Sequence, residues 1–386
     1  MTADEDRFAA HDAAWRDPAA VAALWGGGGA VDPGLLDCTT EGPWWDLLEA
    51  SGATLLVGRE YEHLLLALGA RAGRPRISFL ALPHPTGIAV DAMRGEVHVA
   101  STRNPNAVLT LRPALGLQDR GDLEAPGNHG RPLMPASLRF LPGCSYLHDL
   151  AMLDGVLHAT TTGSNAIIAL PRDGESHRVW WPDSIDGAGF GLNHLQLNGI
   201  AAAGSLDRSF FTASAAAPGT TRPGDPAFPV DGRGVIFSGA TRAPILHGLT
   251  RPHSPRFVGS GLWLANSGYG TVLAAEGGHA EIVARLPGWT RGLCWIGDHV
   301  IAGTSRVLPR FSGYAPGLDP AACRCGLHAI EVATGRVAAS LIWPTGNQIF
   351  AIEALPAALA DGLPFRIPRG TVPSAAERTL FYAWRH

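Results

Sequence analysis

The feature that most constrains the fold is a short pattern that recurs along the chain. A polar residue opens a strand, a tight glycine-containing turn follows, and a second strand runs back. The clearest copy extends from Pro252 to Ser267, with its turn at Ser260-Gly261 between two segments that alternate in polarity. Related segments begin near His84, His148, Asn198, Arg291 and Gln348. A strand unit repeated in this way is typical of a repeat architecture such as a propeller.

Third and fourth strands follow in most units, and three further strands at 53–81 have no inner strand of their own. Six complete blades result if Gln348–Leu355 is the inner strand of the last blade and the three strands at 53–81 complete that blade. This closure would leave no open sheet edge. We therefore predict an all-β fold, a six-bladed β-propeller whose last blade is closed by N-terminal strands.

The segments outside the repeats differ from them. Residues 1–51 are rich in alanine and show helical spacing of apolar residues, which ends in a short helix near Trp44–Glu49. The predicted organisation is a helical N-terminal extension at 1–51, the propeller at 52–357, and a C-terminal tail at 358–386 that packs on the propeller. Long loops are expected to cover one face, at 112–147, 171–193 and 215–233.

Composition excludes several classes of function. The net charge of −4 and the absence of a basic stripe argue against nucleic acid as a partner. The sequence contains no lysine, which excludes lysine Schiff-base chemistry and phosphate loops that end in Gly-Lys. It has no run of about 18 apolar residues and no apolar signal segment near its start. The five cysteines show no C-x-x-C spacing, so we expect free thiols and a cytoplasmic protein.

The residues that open the predicted inner strands are polar. In a propeller, these positions face the central channel at one mouth. They are His84, His148, Asn198, His253, Arg291 and Gln348. His194 and Gln196 share the parity of Asn198 and should lie on the same side, just above it.

Histidines at such positions predict a divalent transition metal, either Zn, Fe, Cu or Ni. We predict that His148 and His253 bind it, with either His194 or His84 as a further ligand. An open coordination position would then take water or substrate. The same pattern also fits a water-filled channel lined by hydrogen-bonding groups.

Other residues near the ring suggest catalytic and binding roles. Asp149 is predicted to be catalytic, by orienting a ligand or by acid–base chemistry. Arg256 and Arg291 could grip a carboxylate or phosphate through their planar guanidinium groups, and we assign both of them catalytic and substrate-binding roles. The predicted substrate-binding set is completed by Asn198, Gln196, Ser305 and Gln348.

Several short motifs together resemble those of a family of uncharacterised bacterial proteins with a β-propeller-type domain of unknown function. The motifs are His148-Asp149-Leu150-Ala151, Leu197-Asn198-Gly199, Pro252-His253-Ser254-Pro255-Arg256, Leu286-Pro287-Gly288, Thr290-Arg291-Gly292-Leu293, Ser305-Arg306 after Gly303, and Cys325-Gly326. The chain departs from the family pattern at Gln196, where the family has histidine, and at Gln348 and Ala351, where it has acids. The resemblance implies a propeller and no settled activity.

We predict a metal-dependent enzyme of lyase, hydrolase or oxygenase type, acting on a small polar or peptide-derived substrate at the channel mouth. Two alternatives remain open. One is a non-catalytic propeller that serves as a binding module. The other is a metal-free hydrolase or isomerase that uses histidine and Asp149 as acid–base groups. In each case neither nucleic acid nor a membrane is an expected partner.

Overall fold

The computed structural model of the chain describes residues 31–103, 106–114, 116–117, 131–187, 190–365 and 382–383. The predicted helices before residue 31 lie outside the described residues, as does most of the predicted tail after residue 365. The one α-helix in the described part, α1, spans Trp44–Ser51. Short 3-10 helices lie at Pro33–Leu35, Thr162–Ser164, Asp183–Ile185, Ser267–Tyr269 and Pro309–Tyr314.

Strands make up most of the described chain. In chain order they are β1 Thr39–Glu41, β2 Ala53–Arg59, β3 Leu64–Arg71, β4 Arg74–Ala81, β5 Pro85–Asp91, β6 Glu96–Ser101, β7 Ala107–Pro113, β8 Gly116–Leu117, β9 Leu133–Phe140, β10 Leu147–Leu153, β11 Val156–Thr161, β12 Ala166–Leu170, β13 His177–Trp180, β14 Leu197–Ala203, β15 Ser205–Ala213, β16 Gly234–Ser238, β17 Pro244–Leu249, β18 Pro252–Val258, β19 Gly261–Asn266, β20 Thr271–Glu276, β21 His279–Arg285, β22 Trp289–Ile296, β23 His299–Ser305, β24 Gly326–Glu331, β25 Val337–Ile342, β26 Ala351–Pro356 and β27 Tyr382–Ala383.

Six antiparallel sheets follow one another as the blades of a propeller. Blade 1 has the order β5-β6-β7-β9, and blades 2, 3 and 4 have the orders β10-β11-β12-β13, β14-β15-β16-β17 and β18-β19-β20-β21. Blade 5 contains β22-β23-β24-β25, and blade 6 has the order β26-β2-β3-β4. The predicted six-bladed β-propeller is confirmed.

Blade 6 joins the two ends of the ring. Its inner strand β26 pairs with β2, from Ala53 opposite Pro356 to Gly58 opposite Ala351. The last blade is therefore completed by strands from the start of the propeller, as predicted. Because β2 now has a partner on each side, its backbone hydrogen-bonding groups are not left as an open edge.

The core is divided into apolar layers between neighbouring blades. In β2, Leu55 packs into the layer shared with blade 5, whereas Leu56 packs into the layer shared with blade 1. In β12, Ile167 and Ile168 divide in the same way between blades 3 and 1. Since successive side chains of a strand point to opposite faces, a strand between two layers must be apolar on both. This explains the continuous apolar runs in the sequence.

Some strands were missed. The predicted loop at 112–147 contains β9, which pairs with β7 as the outer strand of blade 1. Strands β17 and β20 were not predicted either, although they complete blades 3 and 4. The outer strand β9 is exposed along most of its length, so it lacks the apolar alternation that reveals a strand in sequence.

Residues before and after the propeller pack against it. Helix α1 buries Trp44 and Leu48 in the layer between blades 5 and 6, and β1 extends blade 5 by pairing with β25. After β26, the backbones of Phe365 and Phe79 exchange hydrogen bonds of 2.8 and 3.3 Å. The domain boundaries stay predictions. No helix among the described residues has the length and apolar character to cross a membrane, and the cytoplasmic location stays a prediction.

Inner strands of neighbouring blades approach closely at two glycines. A Cβ atom on Gly87 in β5 would lie 2.5 Å from the Cα atom of Asp149 in β10. A Cβ atom on Gly199 in β14 would lie 2.4 Å from Cδ of Pro255 in β18. These distances are shorter than any ordinary carbon contact, so only glycine allows this spacing of the inner strands.

We predict that Gly87→Ala lowers the free energy of unfolding by about 1–3 kcal/mol, because the new methyl group must displace the backbone of β10. Urea denaturation measures this change. Gly224→Ala is the control, since nothing lies within 4 Å of its Cβ position and its φ is not positive. Equal stability of the two variants would contradict the close approach.

Candidate functional site

A cavity of about 250 Å³ opens at the end of the channel where the inner strands begin. Five inner strands each contribute two lining residues, two positions apart: Tyr146 and His148, Gln196 and Asn198, Arg251 and His253, Trp289 and Arg291, Gln348 and Phe350. Alternate residues of a strand point the same way, so each pair places two side chains in the channel, one above the other. The other lining residues are Glu60, Tyr61, Thr102, Arg103, Thr162, Asn193, Phe311 and Tyr314.

The entrances of four inner strands share an unusual backbone conformation. The residue just before the strand has a positive φ, at 43° for His84, 48° for Tyr146, 54° for Gln196 and 54° for Arg251. For a residue with a Cβ atom this conformation costs of the order of 1 kcal/mol or more, and such strain is concentrated at functional sites. Three of these four residues line the cavity, which favours the mouth as the functional site.

His148 presents an unprotonated nitrogen to the cavity. Its Nδ1 lies 3.1 Å from the carbonyl oxygen of Tyr146 and 2.9 Å from Oγ1 of Thr162, which itself donates to the carbonyl of Leu197. Both neighbours therefore accept, and Nδ1 must carry the proton. The other nitrogen, Nε2, lies 3.3 Å from the amide nitrogen of Gln196, and its lone pair accepts there.

His253 is buried next to His148, with the two ring centroids 6.3 Å apart. Its Nδ1 lies 2.8 Å from Oγ of Ser254, and this hydroxyl also accepts a hydrogen bond of 2.9 Å from the backbone N–H of Gly292. Nε2 is buried and has no partner among the described residues. An unpaired polar atom in this position is unfavourable, and a bound molecule in the cavity would relieve it.

Both imidazoles are neutral at pH 7. Burial lowers the pKa of His148 to about 4, and the charges of Arg291 and Arg103 add to the effect. Burial lowers the pKa of His253 well below its usual value, with further contributions from Arg291 and His148. An anion bound near Arg291 would offset its charge and raise both pKa values.

Arg291 is partly buried, and its guanidinium group lies between aromatic rings. Its guanidinium carbon is 3.9 Å from the ring centroid of Trp289 and 5.1 Å from that of Phe350. With the Gln348 amide oriented to satisfy both neighbours, its oxygen accepts from Nη1 of Arg291 at 2.9 Å and its nitrogen donates to Glu60 at 3.1 Å. Nε of Arg291 has no partner among the described residues.

Arg251 provides a second guanidinium in the same cavity. It lies 3.8 Å from the ring centroid of Tyr314 and donates from Nη2 to the carbonyl of Pro223. Burial lowers the pKa of Arg251 to about 10, and the nearby charge of Arg291 adds to that effect. Its Nε also has no partner in the described part of the chain.

Glu60 is the acidic residue of the cavity wall. One of its oxygens is 2.9 Å from Nη2 of Arg103. Burial raises the pKa of Glu60, an effect that Arg291 and Arg103 partly oppose. Its carboxylate is therefore already engaged by Arg103 and by the amide of Gln348.

The four histidines predicted as metal ligands do not come together. His84 Nδ1 lies 3.7 Å from Glu60, and its ring packs edge-on against His63 with centroids 4.3 Å apart. His194 does not line the cavity, so the shared parity with Gln196 and Asn198 does not bring it there. His148 and His253 are adjacent, but no third ligand atom from a His, Cys, Asp or Glu of the described residues joins them within 4.8 Å. The structure thus brings His148 and His253 together without His84 or His194, and the three-histidine metal centre stays a prediction.

A different trio does meet that distance. Asp91, Glu96 and His98 of blade 1 have ligand atoms within 4.8 Å of one another. Both carboxylates are already paired, Asp91 with Arg94 at 2.8 Å and Glu96 with Arg172 at 2.9 Å. This group lies outside the channel-mouth cavity.

Asp149 and Arg256, both predicted to be catalytic, bind each other below the cavity and do not line it. The guanidinium donates to both carboxylate oxygens, at 2.9 and 3.2 Å. Asp149 also accepts a 3.0 Å hydrogen bond from the backbone N–H of Ile200. The pair thus fastens β10, β14 and β18 to one another.

The predicted substrate-binding residues fall into two groups. Asn198, Gln196, Arg291 and Gln348 line the cavity. The amide nitrogen of Asn198 donates to the carbonyl of Pro252 at 3.0 Å, which also ties two blades together. Ser305 is buried outside the cavity, where its hydroxyl donates to the carbonyl of Ile349 and accepts from its N–H.

Sequence reasoning missed several lining residues. Arg251 and Trp289 stand two positions before His253 and Arg291, so the parity argument used for Gln196 would have found them. Glu60, Arg103 and Thr162 follow the second strands of their blades. Because a second strand runs antiparallel to the inner strand, its end returns to the same mouth. A polar residue shortly after a second strand was therefore the sequence signal that could have identified these three lining residues.

The profile of a family described as "Domain of unknown function (DUF4915)" matches residues 42–361, so the chain belongs to this family. Among curated proteins, none matches the sequence. A chain of a nidogen/laminin complex is 12% identical, with a TM-score of 0.53 over 78% of this chain and 98% of that one. This likeness shows the fold alone.

Two further solved structures are less similar in shape. One is a provisionally assigned oxidoreductase (glucose dehydrogenase) from Thermus thermophilus, 16% identical, with a TM-score of 0.43 over 76% of this chain and 100% of that one. The other is a provisionally assigned gluconolactonase, 13% identical, with a TM-score of 0.42 over 85% of this chain and 99% of that one.

We predict that Asp149→Asn lowers the free energy of unfolding by about 3–5 kcal/mol, because it removes the buried carboxylate charge that balances the largely buried guanidinium of Arg256. Urea denaturation measures the loss. Asp298→Asn, at an exposed position, is the matched control and should change stability by less than about 0.5 kcal/mol. A variant as stable as the control would show that the ion pair does not fasten the blades.

Acid should destabilise the protein below about pH 6.5. Burial lowers the pKa of His148 and of His328 to about 4, so between these values the unfolded chain binds more protons than the folded one. The free energy of unfolding therefore falls as the pH drops from 6.5 toward 4. Urea titrations at several pH values should show a shallower fall in His328→Gln, and an unchanged one in the exposed-site control His247→Gln. Equal slopes in all three proteins would contradict the assignment.

Proposed function

We propose that this member of the family is an enzyme that binds a small anionic substrate at the channel mouth and moves a proton on it, as a hydrolase or isomerase does. The observation that carries the proposal is the meeting of two arginines, one buried and one partly buried, with two neutral imidazoles in one cavity. Neither arginine forms an ion pair with a carboxylate of the described residues. This arrangement favours the metal-free alternative considered from the sequence.

The arginines supply the binding. Arg251 and Arg291 are held against aromatic rings, which fixes the planes of their guanidinium groups. Each retains an Nε–H without a partner among the described residues. A fixed guanidinium with free N–H groups is suited to a carboxylate or phosphate, whose oxygens match its geometry.

The imidazoles supply the chemistry. His148 acts as the general base through the lone pair on Nε2, once a substrate proton takes the place of the 3.3 Å hydrogen bond from the Gln196 amide. His253, held by Ser254, is placed on the neighbouring wall as the second proton-transfer group. Because substrate binding offsets the charge of Arg291, the basicity of His148 rises when the substrate is in place.

A metal at the mouth remains the alternative derived from the sequence. His148 and His253 could supply two ligands, and a bound metal would provide a Lewis acid. The two arginines oppose this, since a cation placed near Arg291 is repelled by it. A non-catalytic binding module is the other alternative, and it predicts binding without turnover.

The proposal is tested by incubating the protein with a panel of small carboxylic and phosphorylated acids in D₂O and following the mixture by NMR. We expect turnover or deuterium exchange of one compound, unaffected by EDTA. His148→Gln should slow the reaction by about 10²–10⁴-fold while binding is retained. Arg291→Gln should weaken binding of the same compound.

Arg208→Gln, at an exposed position away from the cavity, is the matched control for loss of an arginine. Binding without turnover, insensitive to His148→Gln, would support the binding module instead. Stoichiometric Zn, Fe, Cu or Ni by elemental analysis, lost in His148→Gln and His253→Gln, would support the metal centre.

A further inference from the structure

The charge of the cavity constrains the substrate beyond its being an anion. Arg251 stacks on Tyr314 and Arg291 stacks on Trp289, and the centroids of these two rings lie 6.4 Å apart. In keeping with this proximity, the charge of Arg291 contributes to the lowered pKa of Arg251. Arg251 is buried and Arg291 is partly buried. Two like charges in one low-dielectric wall repel each other, so this wall is unfavourable when empty.

The acidic residue nearby does not offset this repulsion. Glu60 carries at most one negative charge, and it is bound to Arg103 at 2.9 Å. Arg310, stacked 4.7 Å from the ring centroid of Tyr61, adds a further positive charge near the same carboxylate. His148 and His253 are neutral. Among the residues that line the cavity, Arg103, Arg251 and Arg291 stand against the single acid Glu60, so the excess is about two positive charges. Arg310 lies outside this lining and does not reduce it.

The aromatic rings raise the free energy of the empty cavity, because they reduce the solvation of these uncompensated positive charges. Trp289, Phe350 and Tyr314 cover the faces of the two guanidinium groups and limit the water that could solvate them. A single negative charge would leave one of the two arginines uncompensated. Two negative charges would balance both, and their oxygens could accept from both Nε–H groups.

We infer that the substrate presents a dianionic head group to Arg251 and Arg291, either a phosphoryl or sulfuryl group or two neighbouring carboxylates. This inference rests on the proposed function, since it specifies the charge of the substrate at the same site. Tyr314, which contacts Arg251, lies beside the head group in this arrangement.

The inference is tested by calorimetric titration of the whole protein with sulfate, ethyl phosphate, malonate, acetate and nitrate at constant ionic strength. At pH 7.5, we expect sulfate, ethyl phosphate or malonate to bind at least tenfold more tightly than acetate and nitrate. Sulfate and ethyl phosphate above malonate would identify a tetrahedral head group, and the reverse order would identify a dicarboxylate. Arg251→Gln and Arg291→Gln should each reduce the preference to less than threefold, whereas Arg208→Gln should retain it.

Repeating the titrations at several pH values separates the effect of the ligand's charge on binding from the effect of the protein's charge. Ethyl phosphate becomes a dianion above about pH 6, whereas sulfate is a dianion throughout. The affinity of the protein for ethyl phosphate should therefore rise between pH 5 and 7.5, relative to its affinity for sulfate. Sulfate is the control for any change in the charge of the protein. The titratable side chains that line the cavity, besides its arginines, are Glu60, Tyr61, Tyr146, His148, His253 and Tyr314.

The outcomes distinguish the two proposals. Acetate and nitrate binding as tightly as the dianions would overturn the dianion inference and leave an anion-binding enzyme. Dianion binding that persists unchanged in both arginine variants would also overturn it. A dianion preference in a protein that turns over none of the acid panel would uphold the inference and reject the proposed enzyme.

Discussion

The pairing of β26 with β2 is the interaction on which the rest of the structure depends. It joins strands at opposite ends of the propeller sequence and turns a row of sheets into a ring. The cavity exists only because the ring is closed, since its walls come from blades 2 to 6 and from the loop after β6. Apolar layers between all neighbouring blades supply the stabilisation, and close contacts at Gly87 and Gly199 set how near the inner strands come.

The polar residues of the channel divide by depth. At the mouth, Nε of Arg251, Nε of Arg291 and Nε2 of His253 have no hydrogen-bond partner among the described residues. Farther in, Asp149 and Arg256 satisfy each other and link three inner strands. A charged pair that is fully hydrogen-bonded holds the strands in place, whereas an arginine without a carboxylate partner among the described residues favours the binding of an anion. Arg256 therefore stabilises the fold, whereas Arg251 and Arg291 are suited to binding an anion, and the difference lies in the residues that surround them.

The sequence predicted the architecture well because inner and second strands are buried on both faces and appear as apolar runs. The strand β9 was missed because its side chains face water. For the site, the rule that the first residues of inner strands meet at one mouth agrees with the positions of His148, His253 and Arg291, which line the cavity, but not with that of His84, which does not. Pairing across blades could not be read in the same way, since Asp149 and Arg256 are 107 residues apart.

The left-handed residues at the strand entrances have a consequence for how the site is supported. Tyr146, Gln196 and Arg251 each sit on a different blade, and each is held in a costly conformation by the strand that follows it. A molecule that contacts all three residues binds to blades 2, 3 and 4 at the same time. The free energy of binding then adds to the free energy that keeps the ring of blades closed. Ligand binding at the mouth and the stability of the closed propeller are therefore linked.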